Sequence, residues 1–104
     1  MATDSIAEIG IDDEQRLFVR PATATFPHIY REALDVHWDA AHRHLHSPVP
    51  REWTHLQWFR HIVDAAATHS HDLRITPATL WTNISSALRG EIESWAASHA
   101  HSAP

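Results

Sequence analysis

The chain has 104 residues and a formal net charge of −5 with its histidines neutral. It has no cysteine, no lysine and no basic cluster. That excludes disulfides and cysteine-ligated zinc and argues against a nucleic-acid partner, whose phosphates need concentrated positive charge. Eleven histidines, eight arginines and five tryptophans stand out. Arginine, alanine and histidine enrichment without lysine is what a GC-rich gene produces, whereas tryptophans supply large rigid contact area to a core or an interface.

The length suggests a single domain over 1–104, with 1–7 and 99–104 loose. The first ten residues hold no basic residue and no long apolar run, and no later segment is long enough to span a bilayer. The expectation is a cytoplasmic protein with no membrane partner. In chain order, Ile9-Gly10-Ile11 alternates, Asp12-Asp13-Glu14-Gln15 is a turn cluster, and Leu17-Phe18-Val19 alternates again before Pro21. This predicts a β-hairpin over about 7–20. Gly10 inside its first strand points to a close neighbour or an edge. Residues 26–34 read either as a short helix capped by Thr25 or as extended chain, since Phe26, Ile29, Tyr30 and Ala33 recur at three and four.

Alternation resumes at Val36-His37-Trp38 and in Arg43-His44-Leu45-His46. With 39–42 as the loop, Trp38 faces Arg43, His37 faces His44 and Val36 faces Leu45. His37, His44 and His46 then share one face, and Val36, Trp38 and Leu45 the other. Ser47-Pro48-Val49-Pro50 is a stiff connector. The longest helical period follows it. Leu56, Phe59, Val63, Ala66 and Ala67 form a stripe with Ile62 on its flank. Thr54 with Gln57 reads as a capping box, and Trp53 with Trp58 as a hydrophobic staple. The helix should end near 69–71. Asp72-Leu73-Arg74-Ile75 reads as a strand and Leu80-Trp81 as a short strand or extended loop. A second helix is predicted from about Ser86 to Ser98, capped by Ser85 or Asn83, with Leu88, Ile92, Trp95 and Ala96 as its stripe. The fold class is α+β: a small antiparallel sheet of two hairpins and a further strand, with two amphipathic helices on one face.

Several groups of residues look familiar together. They are Gly10-Ile11-Asp12 with Arg16-Leu17 and Val19-Arg20-Pro21; Ile29-Tyr30-Arg31-Glu32-Ala33; Val36-His37-Trp38-Asp39; Ser47-Pro48 with Pro50-Arg51-Glu52-Trp53; Trp58-Phe59-Arg60; and Leu73 with Thr76-Pro77, Trp81 and Asn83. Over roughly 8–93 their order and spacing resemble a family of small proteins from integron gene cassettes. The resemblance implies a bacterial, cytosolic, mobile-element origin and a compact α+β fold. It implies no activity. His42, His44, His46, His69 and His71 lie outside the pattern that carries it.

Three constellations could carry chemistry. His37, His44 and His46 on one strand face are candidate ligands for Zn²⁺, Ni²⁺ or Cu²⁺, with a solvated strand face as the plain alternative. Tyr30, Arg31 and Glu32 are candidate catalytic residues, joined by His28, Glu52 or Arg60, because such a set can move a proton and steady a phosphate. An Arg–Glu network that fixes how helix and hairpin meet would look the same. Trp53, Trp58, Arg60 and Trp81 are candidate binding residues, since large aromatics beside arginine are typical contact hot spots. The leading functional expectation is a non-enzymatic interaction module that forms a homodimer or a tetramer of dimers, with a further protein partner possible and no resident cofactor. Its leftover apolar surfaces would be the hairpin edge near 9–11 and the Trp58–Ala65 flank of the long helix. A metal or small-ligand binder, using the histidine face or a tryptophan-lined pocket, is the second reading. A small ribonuclease-like toxin is the third. The cap assignment is directly testable: Thr54→Ala should lower stability by about 1 kcal/mol in urea unfolding, and an unchanged midpoint would contradict the register given to the helix.

Overall fold

The computed structural model describes residues 2–33 and 35–100, the side chains of 99 and 100 excepted. Its elements run β1 (Ala2–Ile11), β2 (Leu17–Pro21), a 3₁₀ turn (Ile29–Arg31), β3 (His37–Asp39), β4 (His44–His46), α1 (His55–Thr68), β5 (His71–Arg74), β6 (Leu80–Thr82) and α2 (Ser86–Ala100). The fold is α+β, with one six-stranded mixed sheet in the order β3-β4-β2-β1-β5 and β6 also paired to β1. Three of its pairings are antiparallel, while β5 and β6 run parallel to β1.

Strand β1 is the spine of the sheet. One side pairs with β2. The other takes β5 along Ala2–Ser5 and then β6 along Glu8–Gly10. Residues 2–7 are therefore strand and not a loose lead-in, because β5, far later in the chain, pairs with Ala2–Ser5, Ala2 lying opposite His71. The hairpin edge expected near 9–11 is likewise not open, since β6 pairs with Glu8–Gly10. Between Ile6 and Glu8 the register against β2 shifts. A strand has a side-chain period of two, so this bulge changes which parity faces inward. Ile6 and Ile9 are both fully buried as a result. Thr79 serves the same break from the other side: its buried hydroxyl donates to the Ile6 carbonyl at 2.6 Å and accepts from the Thr76 amide at 3.0 Å.

The first turn follows its sequence. Asp12 Oδ1 accepts from the amides of Glu14 and Arg16, both at 2.9 Å, and its Oδ2 meets Arg16 Nε at 2.8 Å. In the second hairpin the loop is 40–43, not 39–42. His37 pairs with His46, Trp38 with Leu45 and Asp39 with His44. Two local features set this register. Arg43 takes a left-handed conformation at φ 56°, and Asp39 Oδ1 caps the turn by accepting from the amides of Ala41 and His42 at 3.0 and 3.1 Å. The register slip is two residues, so the expected faces survive. Leu45 is fully buried with Val36, and the histidines share the opposite face. Over 26–33 the chain makes only the single 3₁₀ turn, begun at His28 with no side-chain cap, so Thr25 does not cap a helix here. Residue 34 lies outside the described residues.

Helix α1 begins as its sequence predicts. Thr54 Oγ1 accepts from the Gln57 amide at 3.2 Å, and Gln57 Oε1 accepts from the Thr54 amide at 2.8 Å. The Trp53 and Trp58 rings meet at 4.8 Å, which is the staple. The buried stripe is rotated from the expected one. Phe59, Ile62 and Ala66 are at its centre, flanked by Trp58 and Ala65, while Val63 and Ala67 are half-buried. The Trp58–Ala65 flank is thus covered, and it is not a leftover surface. The reason is that α1 packs against β2 and β5 and also against α2. Ile62 supplies the fully buried branched side chain that this three-sided contact needs. Helix α2 is capped by Ser85, whose Oγ accepts from the Leu88 amide at 3.1 Å, and it buries Ile92 completely with Leu88, Trp95 and Ala96 partly covered. It extends to Ala100, past the expected end at Ser98, and 101–104 lie outside the described residues. Among the described residues no helix is long and apolar enough to cross a membrane.

Gly10 has the close neighbour its position suggested. A Cβ there would stand 2.4 Å from the Phe18 ring and 3.0 Å from Thr82 Cβ. Phe18 lies across β1 at this point and is itself buried. Gly10→Ala should therefore destabilise the fold by about 1–3 kcal/mol through overpacking, read as a lower urea midpoint, with the loss absent if Phe18 can swing aside. A second test concerns Asp4, which is nearly buried. Burial alone would raise its pKa, but hydrogen bonds from the amides of Ala24 and Thr23 and from the Thr23 hydroxyl outweigh this and hold the carboxyl below its ordinary value. A depressed carboxyl stabilises the fold above its unfolded pKa and loses that contribution as pH falls through the folded one. Asp4→Asn should cost about 1–3 kcal/mol at neutral pH, and the gap to wild type should close below about pH 4. A gap independent of pH would show that shape, not charge, is what Asp4 supplies.

Candidate functional site

Among the described residues, two places gather candidate functional side chains. The first is an open cleft of about 600 Å³ at the start of α1. Its walls come from the stiff connector and the helix entry. Pro48, Val49, Arg51, Glu52, Trp53 and Trp58 line it. Asp35 adds a second carboxylate. The staple explains the aromatic wall, since it holds the Trp53 ring against Trp58 while leaving Trp53 42% exposed. His61, one turn on along α1, meets both rings edge-on at 5.3 and 5.7 Å. Val49, in the same lining, is 52% exposed. The Trp58 indole N–H is buried without an acceptor among the described residues.

Of the expected binding residues, Trp53 and Trp58 line this cleft and Arg60 and Trp81 do not. The Arg60 guanidinium lies 5.9 Å from the centre of the Trp95 ring, joining α1 to α2. Trp81 carries Arg89 over its ring at 4.8 Å. Both are cation–π contacts that tie α2 to the rest of the domain.

The second place is the outer face of the sheet at the β3–β4 hairpin. His37 and His46 face each other across the strands, with ring centres 5.2 Å apart. His46 directs Nδ1 to the Ser47 carbonyl at 2.9 Å. His44 is buried and stacks on Phe18 at 4.7 Å. Its Nε2 has no hydrogen-bond partner among the described residues and faces Asp39 Oδ2 at 3.7 Å. His42 closes the group from the loop, with Nδ1 at 2.7 Å from the same oxygen. The ligand atoms of Asp39, His42 and His44 all lie within 4.8 Å of one another. The contact with His42, side chain and amide, holds the Asp39 carboxyl down at about 2. Burial lowers the His44 pKa, and the neighbouring charge of Asp39 only partly offsets this. Thus of His37, His44 and His46, His44 joins the converging group and the other two stack beside it. Asp39 and His42 were not singled out from sequence. With the loop set at 39–42 both fell in the turn, and the D-x-x-H-x-H spacing was the signal that could have found them.

Tyr30, Arg31 and Glu32 occupy the 3₁₀ turn and the residue after it. Tyr30 is 50% exposed, and the Arg31 guanidinium lies 5.9 Å from its ring centre. The Glu32 carboxylate pairs with His69 Nδ1 at 3.3 Å, which ties the turn to the end of α1. None of the three lines the cleft.

Residues 4–78 match the profile of the family described as Integron Cassette Protein Hfx_Cass5. A solved structure of the integron cassette protein Hfx_Cass5, from the mobile metagenome of the North West Arm sewage outfall, is 43% identical. The match covers 93% of this chain and 98% of that one, with a TM-score of 0.48. The chain belongs to this family. A search of curated proteins finds no match. As an integron cassette protein, the chain keeps every cleft residue from Asp35 to Trp58 inside the matched segment, and the histidine loop lies inside it too.

Proposed function

We propose that this cassette protein is a non-enzymatic interaction module whose tryptophan cleft pairs with the same cleft on a second copy of the chain. The observation that carries the reading is the exposure of both Val49 and Trp53 in the lining of one cleft. Leaving two large apolar side chains in water at one spot costs free energy that burial against a partner would recover. The charges in the lining favour a copy of the chain itself as that partner. The molecule carries a net charge of −5, so two copies repel in general. At the cleft, however, Arg51 stands beside Glu52 and Asp35. In a two-fold contact each residue meets its symmetry-related surroundings, so Arg51 of one copy can meet a carboxylate of the other twice over. Such a homodimer would bury on the order of 1,200–2,000 Å² in total, and pairing of dimers would give a tetramer. The proposal sets this module in the bacterial cytoplasm, where a chain without cysteine needs no oxidising environment.

Light scattering across micromolar to millimolar concentrations tests the idea. The mass should rise from one chain to two. Val49→Glu, which leaves the helix staple untouched, should weaken association by about 2 kcal/mol or more. Arg51→Glu should weaken it too, and adding Glu52→Arg to that variant should restore it, because an isologous contact tolerates an exchange of signs. A monomer at every concentration, or two charge variants that associate like wild type, would defeat this reading.

A further inference from the structure

The outer face of the β3–β4 hairpin carries a feature that self-association through the cleft does not use. Asp39 is bound differently at its two carboxylate oxygens. Oδ1 accepts two backbone amides of the loop, from Ala41 and His42. Oδ2 is left to face His42 Nδ1 at 2.7 Å and His44 Nε2 at 3.7 Å. The first oxygen fixes the carboxylate plane, and the second is aimed at two imidazole nitrogens. That is the division of labour seen where supporting hydrogen bonds orient a metal ligand.

His44 supplies an independent observation. Its ring is nine-tenths buried, and Nε2 has no hydrogen-bond partner among the described residues. An imidazole nitrogen buried without a partner is costly unless something else satisfies it. Its stacking on Phe18 fixes the ring, so the nitrogen cannot turn to water. We infer that Asp39, His42 and His44 form a divalent-metal site of the zinc class, with three protein ligands and a coordination position open to solvent. The donors are two imidazoles and one carboxylate, a set suited to Zn²⁺ and its neighbours and not to Ca²⁺ or Mg²⁺, which take oxygen ligands. The spacing fits as well. Tetrahedral bonds of about 2.0–2.1 Å place ligand atoms about 3.4 Å apart. The two distances at Oδ2, 2.7 and 3.7 Å, bracket that value. His42 is 72% exposed at its side chain and sits on the turn, so it can adjust the remaining distance. The same exposure keeps the affinity modest, and micromolar dissociation is expected.

The test uses chelator-treated protein and zinc chloride alone, followed by calorimetry at neutral pH. Wild type should bind one ion with a micromolar Kd. His42→Ala removes an exposed side chain and should leave the fold intact while weakening binding by about tenfold or more. His37→Ala, an exposed histidine of the same hairpin outside the converging group, should bind zinc like wild type. Cobalt in place of zinc gives a second readout, since tetrahedral imidazole and carboxylate ligation produces strong visible bands that His42→Ala should lose. No saturable binding up to millimolar zinc would overturn the site. Equal losses in the His37 and His42 variants would also overturn it, by showing only diffuse attraction to a histidine-rich surface.

Discussion

The absence of a Cβ at Gly10 is the condition on which the outer face of the sheet depends. It leaves room over the central strand for the Phe18 ring, in space that any side chain would occupy. Phe18 in turn provides the surface on which His44 stacks. His44 is then buried at a height where its Nε2 looks at Asp39. Each step is short-range contact, yet together they run from the middle strand of the sheet to its outermost hairpin. A glycine that costs the strand some local stability thus sets the packing of a histidine two strands away.

Much of this was legible in the sequence where a local rule had one solution. The capping box at Thr54 and Gln57 and the staple at Trp53 and Trp58 appear as expected, because both depend only on residues within one turn. The alternation around Val36 and Leu45 gave the right faces for the second hairpin, although its register was displaced. Period two explains this: a slip by an even number moves partners but not faces. What could not be read locally was what lies next to what. The pairing of β1 with β5 and β6 joins segments about 70 residues apart in sequence, and no composition in 1–7 announces it. Hence the strand at 2–7 was missed, and hence an edge was expected at 9–11. The rotation of the buried stripe on α1 has the same origin, since the orientation of a helix is decided by whatever covers it. For the candidate sites, tryptophans and histidines were legible as residue types. Their sorting was not. Only three-dimensional packing separates the Trp53–Trp58 cleft from the Arg60–Trp95 clamp, or the Asp39 group from the His37–His46 stack.

The two sites are carried on different supports, and this bears on how a small domain can hold both. The cleft is built where a proline-stiffened connector meets a capped helix, so its shape is fixed by backbone restriction. The histidine group is built on a tight turn stapled by one carboxylate, so it is held by hydrogen bonds and can flex at His42. They share the chain between Asp35 and Trp58 but lie on separate elements. Changes to one can therefore leave the other in place, which is a useful property in a chain whose core is as limited as this one.

The placement of β1 also governs the order in which the molecule can assemble during translation. Its residues leave the ribosome before those of its partner strands, and β2 follows to close one side. The other side must wait for 71–82, since only β5 and β6 can pair there. Until most of the chain has been made, the spine of the sheet offers an unpaired row of amides and carbonyls to any neighbour. Helix α1 emerges before β5 and packs against both β2 and β5 in the finished fold, so it can shelter the nascent hairpin before the last strands arrive. Long-range closure of this kind makes the fold slow to complete for its size. The domain reaches its native topology only when 71–82 are available to dock on β1.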